Sequence, residues 1–301
     1  MAKELLGGQA LIEGVMMKSK SHYTTAVRNP KGRIIVKNHK LAPLGEKYPL
    51  AKLPFIRGII NLIEMMSLGV KTLNYSADIA MEEEEPKKTK KEKQKSDGWQ
   101  LGLTLILSLV FAILLFKLIP LALTQYLLNK DIIKGSFAFN LVDGIIRLAI
   151  FLLYIWIISL FKDMYRVFQY HAAEHMSVAC NEQGKKLTVD NVKKCSRFHP
   201  RCGTSFIIFV MIITIFVFSL VPYTLPFWQK FLYRFLLLPF IVSISYELLR
   251  VSANHTDKWW LQPVILPGLW TQRITTKEPT DDIVEVGIAA LSPLVKESSS
   301  I

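Results

Sequence analysis

Three cysteines in 301 residues are too few, and two of them too close to histidine, to read as a disulfide framework. Free thiols in a reducing compartment fit better. Acid is also in short supply: 24 Asp and Glu stand against 37 Lys and Arg, leaving a formal charge of +13. Much of that charge lies in loops and one linker, so no nucleic-acid partner is expected; basic loops beside apolar runs read instead as anchoring to anionic membrane lipid. No Gly-Lys-Ser/Thr follows the N-terminal glycines, which removes a P-loop. The run LLGGQALIEGVMM is broken by Gly7, Gly8 and Glu13 and lacks a basic flank with a small-residue cleavage site, so no cleavable signal peptide is expected. The apolar runs hold few charges and no inverted repeat, which ranks a solute transporter below other classes.

What is abundant is apolar. The chain is 51% hydrophobic with a mean hydropathy of +0.30, high for a soluble globular protein. Four runs, Leu101–Leu121, Val142–Phe161, Thr204–Val221 and Phe231–Leu249, each approach the ~20 residues that a helix needs to cross a bilayer. Lys117 and Pro120 near the end of the first predict a kink or a snorkelling lysine. Lys and Arg crowd residues 1–100 and 162–203 and are sparse in 122–141 and 222–230. The positive-inside rule then puts both termini and the 162–203 loop in the cytoplasm. The expected fold is a mainly α, multi-pass integral membrane protein of the bacterial inner membrane, with about four transmembrane helices within 99–250 and a small β-containing cytoplasmic N-terminal part.

Residues 1–53 form a small β-rich segment, in which Tyr23–Arg28 and Arg33–Lys37 flank the turn Asn29-Pro-Lys-Gly32 as a hairpin, and Gly7–Met17 reads as one tight first strand. Residues 54–80 show helical periodicity at Ile59, Leu62, Ile63, Met66 and Val70, while Arg57, Glu64 and Lys71 tell against a span, so an interfacial amphipathic helix is expected. Residues 81–98 have almost nothing to bury and read as a disordered charged linker. In the C-terminal segment 251–301, Trp259, Trp260 and Trp270 suit a headgroup-level belt, and the stretch from Thr275 to Leu291 suits a short docked helix.

The chemistry concentrates in one loop, which holds three of the six histidines and all three cysteines. On a helix, His171-Ala-Ala-Glu174-His175 puts two imidazoles on one face with a carboxyl beside them. At about ten residues past the second run, a continuing helix carries His171 some 15 Å from the membrane end. His199-Pro-Arg-Cys202 adds an imidazole and a thiol at metal-ligand spacing. His171, His175, His199 and Cys202 are thus candidate ligands for a divalent metal, zinc being the expected ion. Four bound would make a closed structural site; three bound plus water, a catalytic one. Glu174 resembles the general base of inverted zinc-peptidase motifs. Glu182 and Glu247 are candidates for a further carboxylate ligand, with Arg250 an alternative partner for Glu247. Arg201, beside the amides that open the third run, suits a substrate anion. Cys180 and Cys195 read equally well as packed thiols. His22, His39 and His255 are isolated and receive no role.

Several stretches together resemble the bacterial domain-of-unknown-function 1385 family: Gly7-Gly-Gln-Ala-Leu-Ile-Glu-Gly-Val-Met-Met17, Ala26-Val-Arg28, Arg57-Gly58, Tyr170-His-Ala-Ala-Glu-His175, His199-Pro-Arg-Cys-Gly-Thr-Ser205 and Pro267–Pro279. The match runs in order over nearly the whole chain except the charged linker. Members are membrane proteins often labelled metal-dependent enzymes, and the resemblance implies that the N-terminal glycine segment, the histidine loop and the Thr-Thr-Lys-Glu-Pro segment belong together. Lys277 stands where that pattern leads one to expect arginine. The expected function is a metal-dependent enzyme, a hydrolase working at the cytoplasmic face on a lipid-linked or membrane-proximal substrate, with Glu13 as a supporting carboxylate. The alternative is a non-catalytic scaffold or lipid-handling protein stapled by structural zinc.

Overall fold

The computed structural model describes residues 6–41, 53–81, 90–254 and 258–298. Four strands open the chain, β1 (Gly7–Leu11), β2 (Gly14–Lys18), β3 (His22–Arg28) and β4 (Ile34–Lys40), paired in sequence order as an antiparallel meander. The Asn29–Gly32 hairpin forms as its turn residues predict, with Gly32 at φ +80° and the Asn29 N–H donating to the Arg33 carbonyl at 3.0 Å. The stretch expected as one first strand instead reverses at Ile12-Glu13, where Glu13 adopts φ +53°. Gly14 follows because a Cβ there would lie 2.6 Å from the Ala26 carbonyl.

Alternation along the strands divides two cores. Met16, Tyr23 and Val27 pack with Leu68 and Ile79 of α1 (Ile56–Ala80). Val15, Met17 and Ala26 pack on the opposite side, among Tyr170 and Ala173 of α5 (Lys162–Glu182) and Ile283, Val286 and Ala290 of α11 (Asp281–Ser298). With helices on both faces, β2 is buried along nearly its whole length. On α1, Ile63, Met66 and Val70 remain exposed as an open apolar stripe.

The apolar runs become α2 (Lys90–Ile113), a π turn (Leu114–Leu118), α3 (Ile119–Asn129), α4 (Ser136–Ile158), α7 (Gly203–Ser219), α8 (Phe227–Leu236) and α9 (Leu238–Asn254). Two stretches, Gly102–Asn129 and Ser136–Ile158, are long and apolar enough to cross a membrane, and α8 with α9, bent by 44°, makes a third if the pair is one span. The fourth expected span, α7, is apolar but only 17 residues long. The π turn precedes Pro120, whose missing N–H cannot continue the ladder. Lys117, in that turn, points inward, 5.7 Å from the Phe218 ring centroid, rather than snorkelling outward. The interior is also more charged than the sequence suggested: Asp143, Arg147, Lys230 and Arg234 are all buried in the bundle.

Part of the expected linker, residues 82–89, lies outside the described residues, as do residues 42–52 and His255. From Lys90 onward the chain is helical, eight residues earlier than the expected linker end at 98, as suits a Lys-, Glu- and Gln-rich stretch of good helix formers. Short α6 (Val189–Lys193) closes the loop after α5, and α10 (Gln262–Thr275) packs on α7, with Gly268 against Ser205.

Behind the histidines, α11 crosses α5 at Gly287, where a Cβ would lie 2.8 Å from Ser177 Oγ and 3.1 Å from the Ala173 carbonyl. Gly287→Leu is expected to force these helices apart at a cost of about 2 kcal/mol, read as a lowered Tm of the purified protein. An unchanged Tm would mean that this crossing is not tight.

Candidate metal centre

α5 carries the histidine motif, and its helical repeat brings His171 and His175 into edge contact with ring centroids 4.4 Å apart. Each ring is oriented by a backbone carbonyl. His171 Nδ1–H donates to Thr275 O at 2.8 Å, and His175 Nδ1–H donates to Arg197 O at 2.7 Å. A carbonyl can only accept, so both protons are fixed on Nδ1 and both Nε2 lone pairs are left free. Burial lowers the His175 pKa below its ordinary value, opposed by Cys202, so the neutral ring is favoured.

The lone pairs meet a sulfur. His171 Nε2 lies 3.2 Å from Cys202 Sγ, and one ligand atom from each of His171, His175 and Cys202 falls within 4.8 Å of the others. Cys202 caps α7, and its sulfur also accepts from Thr204 N–H at 3.4 Å and Thr204 Oγ1–H at 3.2 Å. Zinc bonds of about 2.0–2.1 Å to nitrogen and about 2.3 Å to sulfur set neighbouring ligand atoms about 3.5 Å apart in a tetrahedron. The three groups therefore fit that ion with small adjustments.

His199 stands beside this set without joining it. Its ring centroid is 5.8 Å from that of His175, its Nε2 is 3.3 Å from Glu182 Oε2, and its Nδ1 accepts the Arg201 N–H at 3.4 Å. Burial lowers its pKa, opposed by the nearby Glu174. Fully buried Gln272 clamps the His199 backbone from α10, accepting its N–H and donating to its carbonyl, both at 2.8 Å.

Glu174 lies on the same cavity wall. Burial raises its pKa, while His171, His199 and the Gly8 N–H act against that shift. At Gly8 a Cβ would lie 2.2 Å from the Met16 carbonyl and 3.2 Å from Glu174 Cγ, so only glycine lets β1 approach the carboxyl this closely. The cavity, about 320 Å³, is bounded by the Gly7–Ala10 strand on one side and by His171, Glu174, His175, Arg201 and Cys202 on the other. A polar cleft of about 540 Å³ carrying Lys18, Lys20 and Glu64 adjoins it and shares Gly8 and Arg201. Arg201 is ion-paired with Glu182, yet its buried Nε has no hydrogen-bond partner among the described residues.

Two of the carboxylates singled out from the sequence lie elsewhere. Glu13 accepts a bidentate pair of hydrogen bonds from one edge of the Arg166 guanidinium, Nε and Nη2, and a third from the Tyr170 hydroxyl at 3.2 Å, fixing the β1–β2 turn on α5. Glu247 pairs with Arg57 and the Phe55 N–H, tying α9 to α1, so its principal partner is Arg57 rather than Arg250. Cys180 and Cys195 are packed with Val192, and burial pushes the Cys180 thiol up to about 11. Lys277 sits over the Tyr165 ring at 5.7 Å, and its N–H donates to the Phe168 carbonyl. Sequence reasoning did not assign the orienting carbonyls of Arg197 and Thr275 or the Gln272 clamp. Gln272 and Thr275 lie one turn apart on an otherwise mostly apolar helix, a polar pairing that marks them as buried and partnered.

A mostly helical chain with two or three stretches long and apolar enough to cross a membrane, and a His-His-Cys cluster under its N-terminal sheet, is the class that these features define. The chain belongs to the family described as protein of unknown function (DUF1385), whose model matches residues 53–297. It is similar to the uncharacterized protein YqhQ of Bacillus subtilis (strain 168), at 38% identity over 295 residues, covering 96% of this chain and 92% of that relative. No solved structure matches it.

Replacing Gln272 with leucine leaves the buried N–H of His199 unpaired and its carbonyl with only the Cys202 N–H at 3.3 Å, an expected loss of about 2 kcal/mol of stability. Thermal unfolding beside limited proteolysis checks this: a lower Tm with new cleavage near residues 196–202 is expected, and wild-type behaviour in both would remove the clamp.

Proposed function

We propose that this chain is a zinc-dependent membrane enzyme, a hydrolase working at the cytoplasmic face of the bacterial inner membrane on a membrane-proximal or lipid-linked substrate. The observation that carries the proposal is the convergence of the His171, His175 and Cys202 ligand atoms at one cavity wall, with both imidazole Nδ1–H groups already committed to backbone carbonyls. His171, His175 and Cys202 hold the metal, which supplies Lewis acidity when bound. Three protein ligands with the cavity before them favour an open, catalytic site over a closed staple, because His199 is engaged by Glu182 and the Arg201 amide.

Glu174 serves as the general base. A carboxyl whose pKa is raised by burial accepts a proton nearer neutral pH than an exposed one does. The Gly8 N–H orients it, and β1 shields it from bulk water. Arg201, with its unpartnered Nε on the cavity wall, binds an anionic group of the substrate. Four spans complete the topology, α7 crossing as a short helix and α8–α9 as one bent span, with both termini and the metal centre on the Lys- and Arg-rich side.

Elemental analysis of the detergent-purified protein tests this reading. Near-stoichiometric zinc is expected in wild type, with loss in His171→Ala, His175→Ala and Cys202→Ser, and retention in His199→Ala and Glu174→Gln. Glu174→Gln should keep the metal yet fail to complement a deletion strain. Loss of metal in His199→Ala would indicate a closed four-ligand site, and absence of metal from wild type even after zinc addition would defeat the proposal.

A further inference from the structure

The end of the helical bundle away from the metal centre holds a second cluster of charge. Cys202 and Phe218 lie near opposite ends of α7, about 24 Å apart at 1.5 Å per residue, and the second cluster gathers round Phe218. Arg147 is 5.4 Å and Arg234 5.0 Å from that ring centroid, with Lys117 at 5.7 Å. Asp143 binds Arg147 at 2.7 Å and Arg234 at 2.8 Å. Asn140 accepts from Arg234 at 2.6 Å, and Lys230 donates to Gln125 at 2.5 Å and to the Tyr223 carbonyl at 3.0 Å.

Among the described residues, Asp143 is ion-paired with Arg147 and Arg234, while Lys117 and Lys230 lie over the Phe218 and Phe139 rings with no carboxylate ion-paired to them. Arginine stays charged in such settings, and aromatic faces soften a cation without supplying a counter-charge. Buried charge without compensation is costly, and ionisable groups kept within a membrane bundle mark a binding or transfer site. Two further observations point to an anion. The Nε atoms of Arg147 and Arg234 are buried without a hydrogen-bond partner among the described residues, in residues that are 5% and 3% exposed. Lys117, Arg147 and Arg234 also line one cavity of about 230 Å³ whose other walls are apolar. Two of those walls, Leu109 and Phe235, are exposed on the outside of the bundle, so the cavity opens sideways between α2 and α8. The π turn places Lys117 at this cavity, a local widening that recurs at functional sites.

We propose that this cavity binds a phosphate group, the phosphate of a lipid headgroup fitting it best: the anion sits against Lys117, Arg147 and Arg234, and the acyl chain leaves between Leu109 and Phe235. The site is independent of the metal centre and stands whether or not zinc is bound.

Fluorescence anisotropy of tail-labelled phosphatidylglycerol with the full chain in a non-ionic detergent tests it, alongside equilibrium binding of radiolabelled inorganic phosphate. Saturable lipid binding is expected, displaced by unlabelled phosphatidylglycerol and not by diacylglycerol. Lys117→Gln, which removes a cation that donates no hydrogen bond to the described residues, should fold normally and weaken binding about tenfold, whereas Lys134→Gln in the exposed loop should not. Phosphate bound in place of the lipid, with the same Lys117 dependence, would keep the phosphate site and assign it to the free ion. Binding unaffected by Lys117→Gln, equal displacement by diacylglycerol, or no binding of either probe would overturn the proposal.

Discussion

An imidazole offers a lone pair in a fixed direction only when its other nitrogen is held as a donor, and this constraint organises the half of the molecule around the histidine cluster. Two carbonyls meet it here, Thr275 O for His171 and Arg197 O for His175. Neither belongs to the helix that carries the histidines. Thr275 ends α10, and Arg197 sits in the loop whose position Gln272 secures through His199. The family's separate stretches of sequence therefore have one mechanical purpose: α5 supplies the rings, the 196–202 loop supplies the sulfur and one carbonyl, and the α10 segment supplies the other carbonyl and the clamp. Gly8 completes the arrangement by letting β1 close over Glu174.

The sheet is built to bear on this site. Its two buried faces, one under α1 and one over α5 and α11, fix β1 against the histidine helix. The Glu13–Arg166 pair fastens the β1–β2 turn to the same helix, five residues before His171. Glu13, expected from the sequence as a supporting carboxylate, anchors that turn through Arg166 and Tyr170. Its left-handed backbone conformation is held by the groups around its carboxylate.

Much of this was legible in the residues. Helical spacing put His171 and His175 together, the Asn-Pro-Lys-Gly turn announced the hairpin, and hydropathy located each apolar helix. Other features depend on partners distant in sequence. Nothing local says that Glu247 meets Arg57, because that pair joins helices 190 positions apart. His199 resembles a ligand by its spacing from Cys202, but Glu182 and the Arg201 amide occupy its nitrogens. The bundle's charge was hidden for a related reason. Lys117, Asp143, Arg147 and Arg234 come from three separate runs and Lys230 from the residue before the last of them, each stretch with too few charges to stand out alone. Only the packing of the π turn, α4 and α8 collects them.

The central claim is an open centre with two imidazoles and one thiolate, and X-ray absorption at the zinc edge of the zinc-loaded protein measures those ligands directly. One sulfur at about 2.3 Å, two imidazole nitrogens at about 2.0–2.1 Å and one further light atom from solvent are expected. A shell with three imidazoles and one sulfur, or one with no sulfur, would contradict it.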